Sequence, residues 1–255
     1  MKAKELKTFL DRYAQKYNRP SFIETDPISI PHRFTEKRDR EIAGFLVASI
    51  AWGQRTTILN NGKKLMEWMD HAPYDFIRHH SDRDLQPFSA FVHRTFNGDD
   101  CLYFISALRK IYTDYPDMES VFGEGMAKTG DMFGAISHFR QVFFGEEHLR
   151  RTLKHIPNPE AGAAAKRLNM FLRWMVRKDD AGVDFGCWES IAAEALLCPL
   201  DVHSGRTARK LGLLTRTQDD RRAVEELTGS LRLLHPDDPV EYDFALYGLG
   251  VFEKF

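Results

Sequence analysis

PLDVHSGRTARKLGL, residues 199–213, is the most informative stretch of the chain. Asp201 follows an apolar run that ends in a proline. Behind it come Gly205, Arg206, Ala208, Arg209, Lys210 and Gly212. A carboxylate at the mouth of a hydrophobic wall and backed by cations has a pKa set jointly by burial and charge, as a catalytic group requires. The residues after Asp201 carry helical spacing, so the segment reads as a loop feeding a helix over about 202–212.

Working outward, the same three-and-four spacing of apolar residues recurs almost everywhere. It predicts helices over about 3–17, 37–52, 56–70, 99–114, 131–144, 146–154, 160–177, 187–197, 219–234 and 240–252. Leu6, Phe9, Leu10 and Tyr13 make one such stripe, and Ala164, Leu168, Phe171, Leu172 and Met175 another. Alternating strand patterns are nearly absent, and proline-rich connections fall at 20–33 and 235–239. Asp99-Asp100 and Asp219-Asp220 stand at helix starts, where negative charge suits the dipole. The expected class is all-α.

The chain has 255 residues, enough to bury a sizeable core. Nineteen phenylalanines point to a well-filled interior. A net charge of −1 argues against a uniformly basic nucleic-acid binder. Between Arg150 and Arg216, however, 12 Lys/Arg stand against 7 Asp/Glu, a one-sided balance that phosphate contact needs. No apolar run is long enough to span a bilayer, and the charged start MKAKELKTFLDRYAQKYNR has no signal-peptide core, so a cytoplasmic location is expected. Cys101, Cys187 and Cys198 are odd in number and widely spaced, so neither a disulfide framework nor a metal site is expected. No phosphate-binding glycine loop or nucleophile elbow occurs, so no cofactor is expected. The oligomeric state is left open.

Three further stretches could carry chemistry. Ile156-Pro157-Asn158-Pro159-Glu160-Ala161-Gly162 makes a tight hairpin whose amides, with the N-terminus of the next helix, could bind a phosphate. Lys166, Met170, Arg173 and Arg177 then recur on one face, either as a cationic stripe along a nucleic-acid backbone or as the solvated face of an ordinary amphipathic helix. Gly53 ends a long apolar helix, and Gln54-Arg55-Thr56-Thr57 opens the next, placing polar side chains at a junction that could enter a groove. Lys166 and Asp201 lie 35 residues apart, which permits a long helix, a loop and a return to one site. There a desolvated amine could attack a sugar C1′ while the carboxylate stabilises positive charge or moves protons.

Three of these blocks, in order, resemble the helix-hairpin-helix DNA glycosylase superfamily, to which endonuclease III belongs. Gln54 and Thr56 match an early helix ending in Ser-Gln-x-Thr, although Trp52-Gly53 replace its small polar pair. Residues 156–172 resemble the hairpin before the catalytic lysine, with Lys166 as counterpart, but Asn158-Pro159-Glu160-Ala161 stands where Leu-Pro-Gly-Val-Gly would be. Residues 199–213 resemble the segment of the essential aspartate, with Asp201 as counterpart. No cysteine follows Cys198, so no iron–sulfur cluster is implied. The resemblance implies a two-lobed helix-hairpin-helix fold. One lobe comes from about 55–150 and the other from 1–54 plus 151–255, with Lys166 and Asp201 in the cleft. It implies base excision from duplex DNA, with Gln54 and Arg55 filling the gap in the duplex. Phosphates would be held by Asn158, Gly162, Arg173, Arg177 and Arg206, and the everted base received by Phe171, Trp174, Phe185 and Trp188. A non-catalytic nucleic-acid-binding protein on the same scaffold is the alternative, and a protein-interaction role a third. Nearly end to end, KRLNMFLRWMVR, GVDFG, PLDVHSGR and DPVEYDFALYGLG also resemble a bacterial family of conserved proteins of unknown function, of the DUF2400 type, which supplies no activity.

Overall fold

Twelve α-helices, joined by short 3-10 turns, account for the regular structure in a computed structural model that describes residues 2–255. No strand occurs among the described residues; a single bridge pairs His93 with Phe96. The helices are α1 (Ala3–Tyr17), α2 (Lys37–Ser49), α3 (Arg55–Trp68), α4 (Pro73–His79), α5 (Gln86–Ser89), α6 (Gly98–Asp114), α7 (Met118–Thr129), α8 (Met132–Phe143), α9 (Lys166–Val176), α10 (Val202–Lys210), α11 (Arg221–Arg232) and α12 (Tyr242–Val251). The all-α reading therefore holds.

Local rules explain several boundaries. Asn97 and Asp100 close a reciprocal capping box at the start of α6. Asp220 caps α11 by accepting from Ala223 N at 3.1 Å. Three expected helices are altered. The segment 146–154 forms only a 3-10 turn, Arg150–His155. The helix expected over 160–177 starts at Lys166, because Ala165 sits at φ 51, in the left-handed region. The helix expected over 187–197 is not formed, apart from a 3-10 turn at Ala193–Ala195. Its approach instead serves α9: Phe185 N donates to Trp174 O (2.8 Å) and Trp188 N to Met175 O (3.0 Å), satisfying carbonyls that a helix end leaves open. Helices α4 and α5 span only 7 and 4 residues, too short to carry a stripe, whereas α7 lies outside the expected helices although Met118, Val121, Phe122 and Gly125 recur on its buried face.

The chain divides into two compact units. Unit 1 holds the residues up to Glu24, Asp131–Phe133 and Asn158–Phe255; unit 2 holds Thr25–Gly130 and Gly134–Pro157. Residues 25–54, expected with the C-terminal half, thus pack with the middle of the chain. Unit 2 spends the phenylalanines: Phe45, Phe104, Phe139 and Phe143 are fully buried, with Phe104 and Phe143 centroids 4.8 Å apart. Such pairs add about 0.5–1.5 kcal/mol beyond burial.

In unit 1, α12 is the central helix and packs against α1 and α10. Two glycines permit this. A Cβ at Gly248 would stand 2.1 Å from the Tyr17 ring, and one at Gly250 would stand 2.9 Å from His203 O. Gly248→Ala is expected to lower unfolding free energy by about 2 kcal/mol through overpacking. Gly229→Ala in α11, where nothing lies within 4 Å of the added Cβ, is expected to raise it by about 0.5–1 kcal/mol. Urea denaturation followed by circular dichroism distinguishes the two.

Candidate functional site

Asp201 is the N-cap of α10. Its Oδ1 accepts from His203 N at 2.8 Å and Ser204 N at 3.0 Å, while Ser204 Oγ accepts from Asp201 N at 2.9 Å. That leaves Oδ2, which lies 3.7 Å from Lys166 Nζ. Lys166 is the first residue of α9, and its ammonium also approaches Met170 Sδ at 3.6 Å. The side chains of Lys166 and Asp201 are 27% and 24% exposed, so the pair is sheltered yet reachable by solvent. Two features build it. The left-handed Ala165, a conformation uncommon for a residue with a Cβ, starts α9 at the lysine. The α12–α10 contact at Gly250 fixes the helix that Asp201 caps.

Two arginines expected to grip phosphates lie inside the protein. Arg173 is 4% exposed: its Nε donates to Asp184 Oδ1 (3.2 Å) and its Nη1 to Asp243. Arg177 is 1% exposed and pairs with Asp179 (2.6 Å), Asp184 (3.2 Å) and Asp238 (2.7 Å). Burial alone would disfavour the Arg177 charge, but Asp184, Asp238 and Asp179 more than offset it and raise its pKa. Burial pushes the Asp184 and Asp238 carboxyls up, against the pull of the guanidiniums. Burial also acts on Asp179, yet the Asn18 amide and Arg177 hold that group below its ordinary value. Asp238 makes no side-chain cap bond; its Oδ2 accepts from Arg177 Nε. The Lys166–Met170–Arg173–Arg177 face is therefore inward from Met170 on, and part of the basic excess of residues 150–216 is consumed internally.

The base-pocket residues need a similar correction. Phe171 and Trp174 are fully buried and Trp188 is 2% exposed; Phe171 and Trp188 meet edge to face at 5.5 Å. These three are core. Phe185 is half-buried. In the hairpin, Asn158 Oδ1 accepts from Glu160 N (3.0 Å), and the amides of Ala161, Gly162 and Ala163 bond to Asn158 O or Pro159 O. Those donors are spent inside the turn rather than offered to an anion. Gly162, exposed at φ 87, passes its carbonyl to Arg221 N at 3.0 Å. Arg206 faces solvent from α10.

Gln54 and Arg55 belong to unit 2. Gln54 is the exposed N-cap residue of α3, and Arg55 is half-buried. The turn before them is held by a short chain of bonds: Asn61 Nδ2 donates to His93 Nδ1 (2.9 Å), which leaves Nε2 to donate to Trp52 O (3.0 Å). Gly53, at φ 103, lies beneath the Arg94 side chain, which an added Cβ would meet at 2.9 Å.

A model described as a protein of unknown function, DUF2400, matches residues 26–252. The chain belongs to the DUF2400 family. No curated protein and no solved structure matches it. Within the matched segment of this DUF2400 chain, the residue that sequence reasoning missed is Asp243. It is an acid set between Tyr242 and Phe244 in an otherwise apolar helix, and it is 6% exposed. That isolated charge in DPVEYDFALYGLG was the available signal.

Burial pushes the Asp243 carboxyl up to about 6, with Arg173 opposing and Asp201 adding to the rise. A carboxyl whose pKa is higher folded than unfolded stabilises the native state below the unfolded value, and that contribution is lost as pH rises through the folded value. Asp243→Asn is expected to reduce the loss of stability between pH about 4 and 6, read by urea denaturation across that window. Asp201→Asn keeps a side-chain acceptor at the cap and is expected to change stability by less than about 0.5 kcal/mol, whereas Asp201→Ala costs about 1 kcal/mol.

Proposed function

We propose that this protein is a DNA base-excision glycosylase with lyase activity, in which Lys166 is the nucleophile and Asp201 the carboxylate that moves its proton. The observation supporting this most directly is the 3.7 Å approach of Lys166 Nζ to Asp201 Oδ2, from 35 positions apart in the sequence and at partial exposure. An amine needs a neighbouring group to take its proton before it can attack, and a cap-fixed carboxylate offers one oxygen for that task without moving.

The chemistry balances as follows. Asp201 first takes the ammonium proton of Lys166; the neutral nitrogen then forms a bond to C1′ while the glycosidic C–N bond breaks, and the departing base leaves with the electron pair and receives that proton from Asp201. Asp201 takes the proton that the nitrogen then sheds. It returns that proton to the ring oxygen as the sugar opens to an iminium. The substrate is duplex DNA bearing a damaged base, and Arg206, exposed on α10, is the solvent-reachable cation of unit 1 for its backbone. Arg173, Arg177 and the buried aromatics take no part in contacting it.

One observation favours the non-catalytic alternative: Asp201 Oδ1 already has a structural task as the cap of α10. Assays on duplexes carrying single lesions, quenched with borohydride, separate the readings. The wild-type protein is expected to release a base and give a covalent adduct, Lys166→Gln to give none, and Asp201→Asn to lose at least a hundredfold in rate, the scale of acid–base catalysis, while folding normally. Salt-dependent DNA binding without base release in every lesion context would leave the binding-protein reading standing.

A further inference from the structure

The residue before the site lysine is the strained one. Ala165 sits at φ 51 and is 4% exposed. The left-handed region is unfavourable for a residue with a Cβ and persists only where neighbours over-determine it. A competing conformation is written in the sequence. Ala163, Ala164 and Ala165 are the best of helix formers and would carry α9 back past Lys166. The lysine would then lie inside a helix instead of opening one.

Asn169, the fourth residue of α9, opposes that extension. Its main-chain N donates to Ala165 O at 2.9 Å, and its side-chain Nδ2 donates to Ala164 O at 3.0 Å. These carbonyls belong to the two peptide groups that flank the Ala165 Cα. One residue therefore holds both of the planes whose rotations are φ and ψ of Ala165. In a helix continued through the alanines, Ala164 O would accept from Leu168 N instead.

The Asn169 side chain is not accounted for by packing. It is 1% exposed, and its Oδ1 has no hydrogen-bond partner among the described residues. An apolar residue of that size would leave no orphaned acceptor. Ala165, as the N-cap of α9, offers no side-chain cap, so the asparagine reaches back to a turn that nothing else on the helix secures. The turn in turn bears on the pair by contact. With α9 opening at Lys166, Nζ lies 3.6 Å from Met170 Sδ and 3.7 Å from Oδ2 of Asp201, itself fixed as the cap of α10.

We propose that Asn169 is a positioning residue: its side-chain amide locks Ala165 in the left-handed turn and thereby holds Lys166 Nζ against Asp201. Its bearing on catalysis rests on the reading of Lys166 as the nucleophile; the placement itself rests on the turn.

The test uses the whole protein without DNA. A water-soluble carbodiimide activates a carboxylate, and an adjacent lysine amine displaces the urea to form an amide, so pairs in contact are joined. Peptide mass spectrometry reads the Lys166–Asp201 crosslink against that of Lys110 and Asp114, an exposed pair on α6. Asn169→Leu keeps the size and removes the donor. It is expected to lower the crosslink ratio by at least about threefold, the scale of one lost hydrogen bond. Adding Ala165→Gly is expected to restore the ratio to within about twofold of wild type, because glycine enters the left-handed region freely and disfavours the longer helix. A merely structural role for Asn169 would leave the ratio in the folded protein unmoved. A ratio unchanged in Asn169→Leu, or lowered and not restored by the glycine, overturns the proposal. Should Asn169→Leu fail to fold, Asn169→Ala removes the same donor without adding bulk and carries the same two expectations. No base release is read in this experiment. Absence of glycosylase activity with the crosslink pattern as expected would sink the chemistry and keep the positioning, and activity with an unchanged ratio would do the reverse.

Discussion

Two guanidinium groups withdrawn from solvent organise unit 1. Arg173 on α9 and Arg177 just past its end bind carboxylates from the loop at 179–184, from Asp238 and from α12. Both also lie over the Phe244 ring, at 4.3 and 5.5 Å from its centre. Desolvating such charges is unfavourable, and the planar fork of arginine offsets it by bonding several oxygens at once. Removing one partner leaves an uncompensated buried charge, at a cost of about 3–5 kcal/mol. The route of the chain after α9 follows from this: residues 179–188 must run where their acids and amides can reach the arginines and the end of the helix.

That constraint also separates what could be read from the sequence from what could not. Helices with a long apolar stripe, such as α1 and α11, lie where their periodicity places them, and the acidic helix starts at Asp100, in the first turn of α6, and Asp220, the cap of α11, are legible for the same local reason. The segment 187–197 has helical spacing yet stays irregular apart from one 3-10 turn, because the amides of Phe185 and Trp188 complete α9. Arg173 and Arg177 look identical in sequence to solvated cations. Only the convergence of Asp184, Asp238 and Asp243 from distant positions shows otherwise, and no periodicity encodes that meeting. Phe171, Trp174 and Trp188 fail as pocket residues for the simpler reason that large aromatics at helical spacing fill interiors.

Of the candidate site, the meeting of Lys166 with Asp201 was expected, but the means of bringing it about was not. The lysine opens a helix because Ala165 turns the chain, and the aspartate caps another, so the positive ends of α9 and α10 both lie at the pair. Anionic groups are favoured there by a few tenths to about 1 kcal/mol. This suits the Asp201 carboxylate.

The family match begins at residue 26, and α1 therefore lies wholly ahead of it. Yet the Tyr17 ring fills the notch left by Gly248, and Lys7 and Asp11 satisfy the hydroxyl of the otherwise buried Tyr242. A boundary drawn at the start of the recognisable segment would unroof α12, baring an aromatic slot and orphaning a phenol. The folding unit that carries the lysine and the aspartate is larger than the stretch by which its kinship is detected.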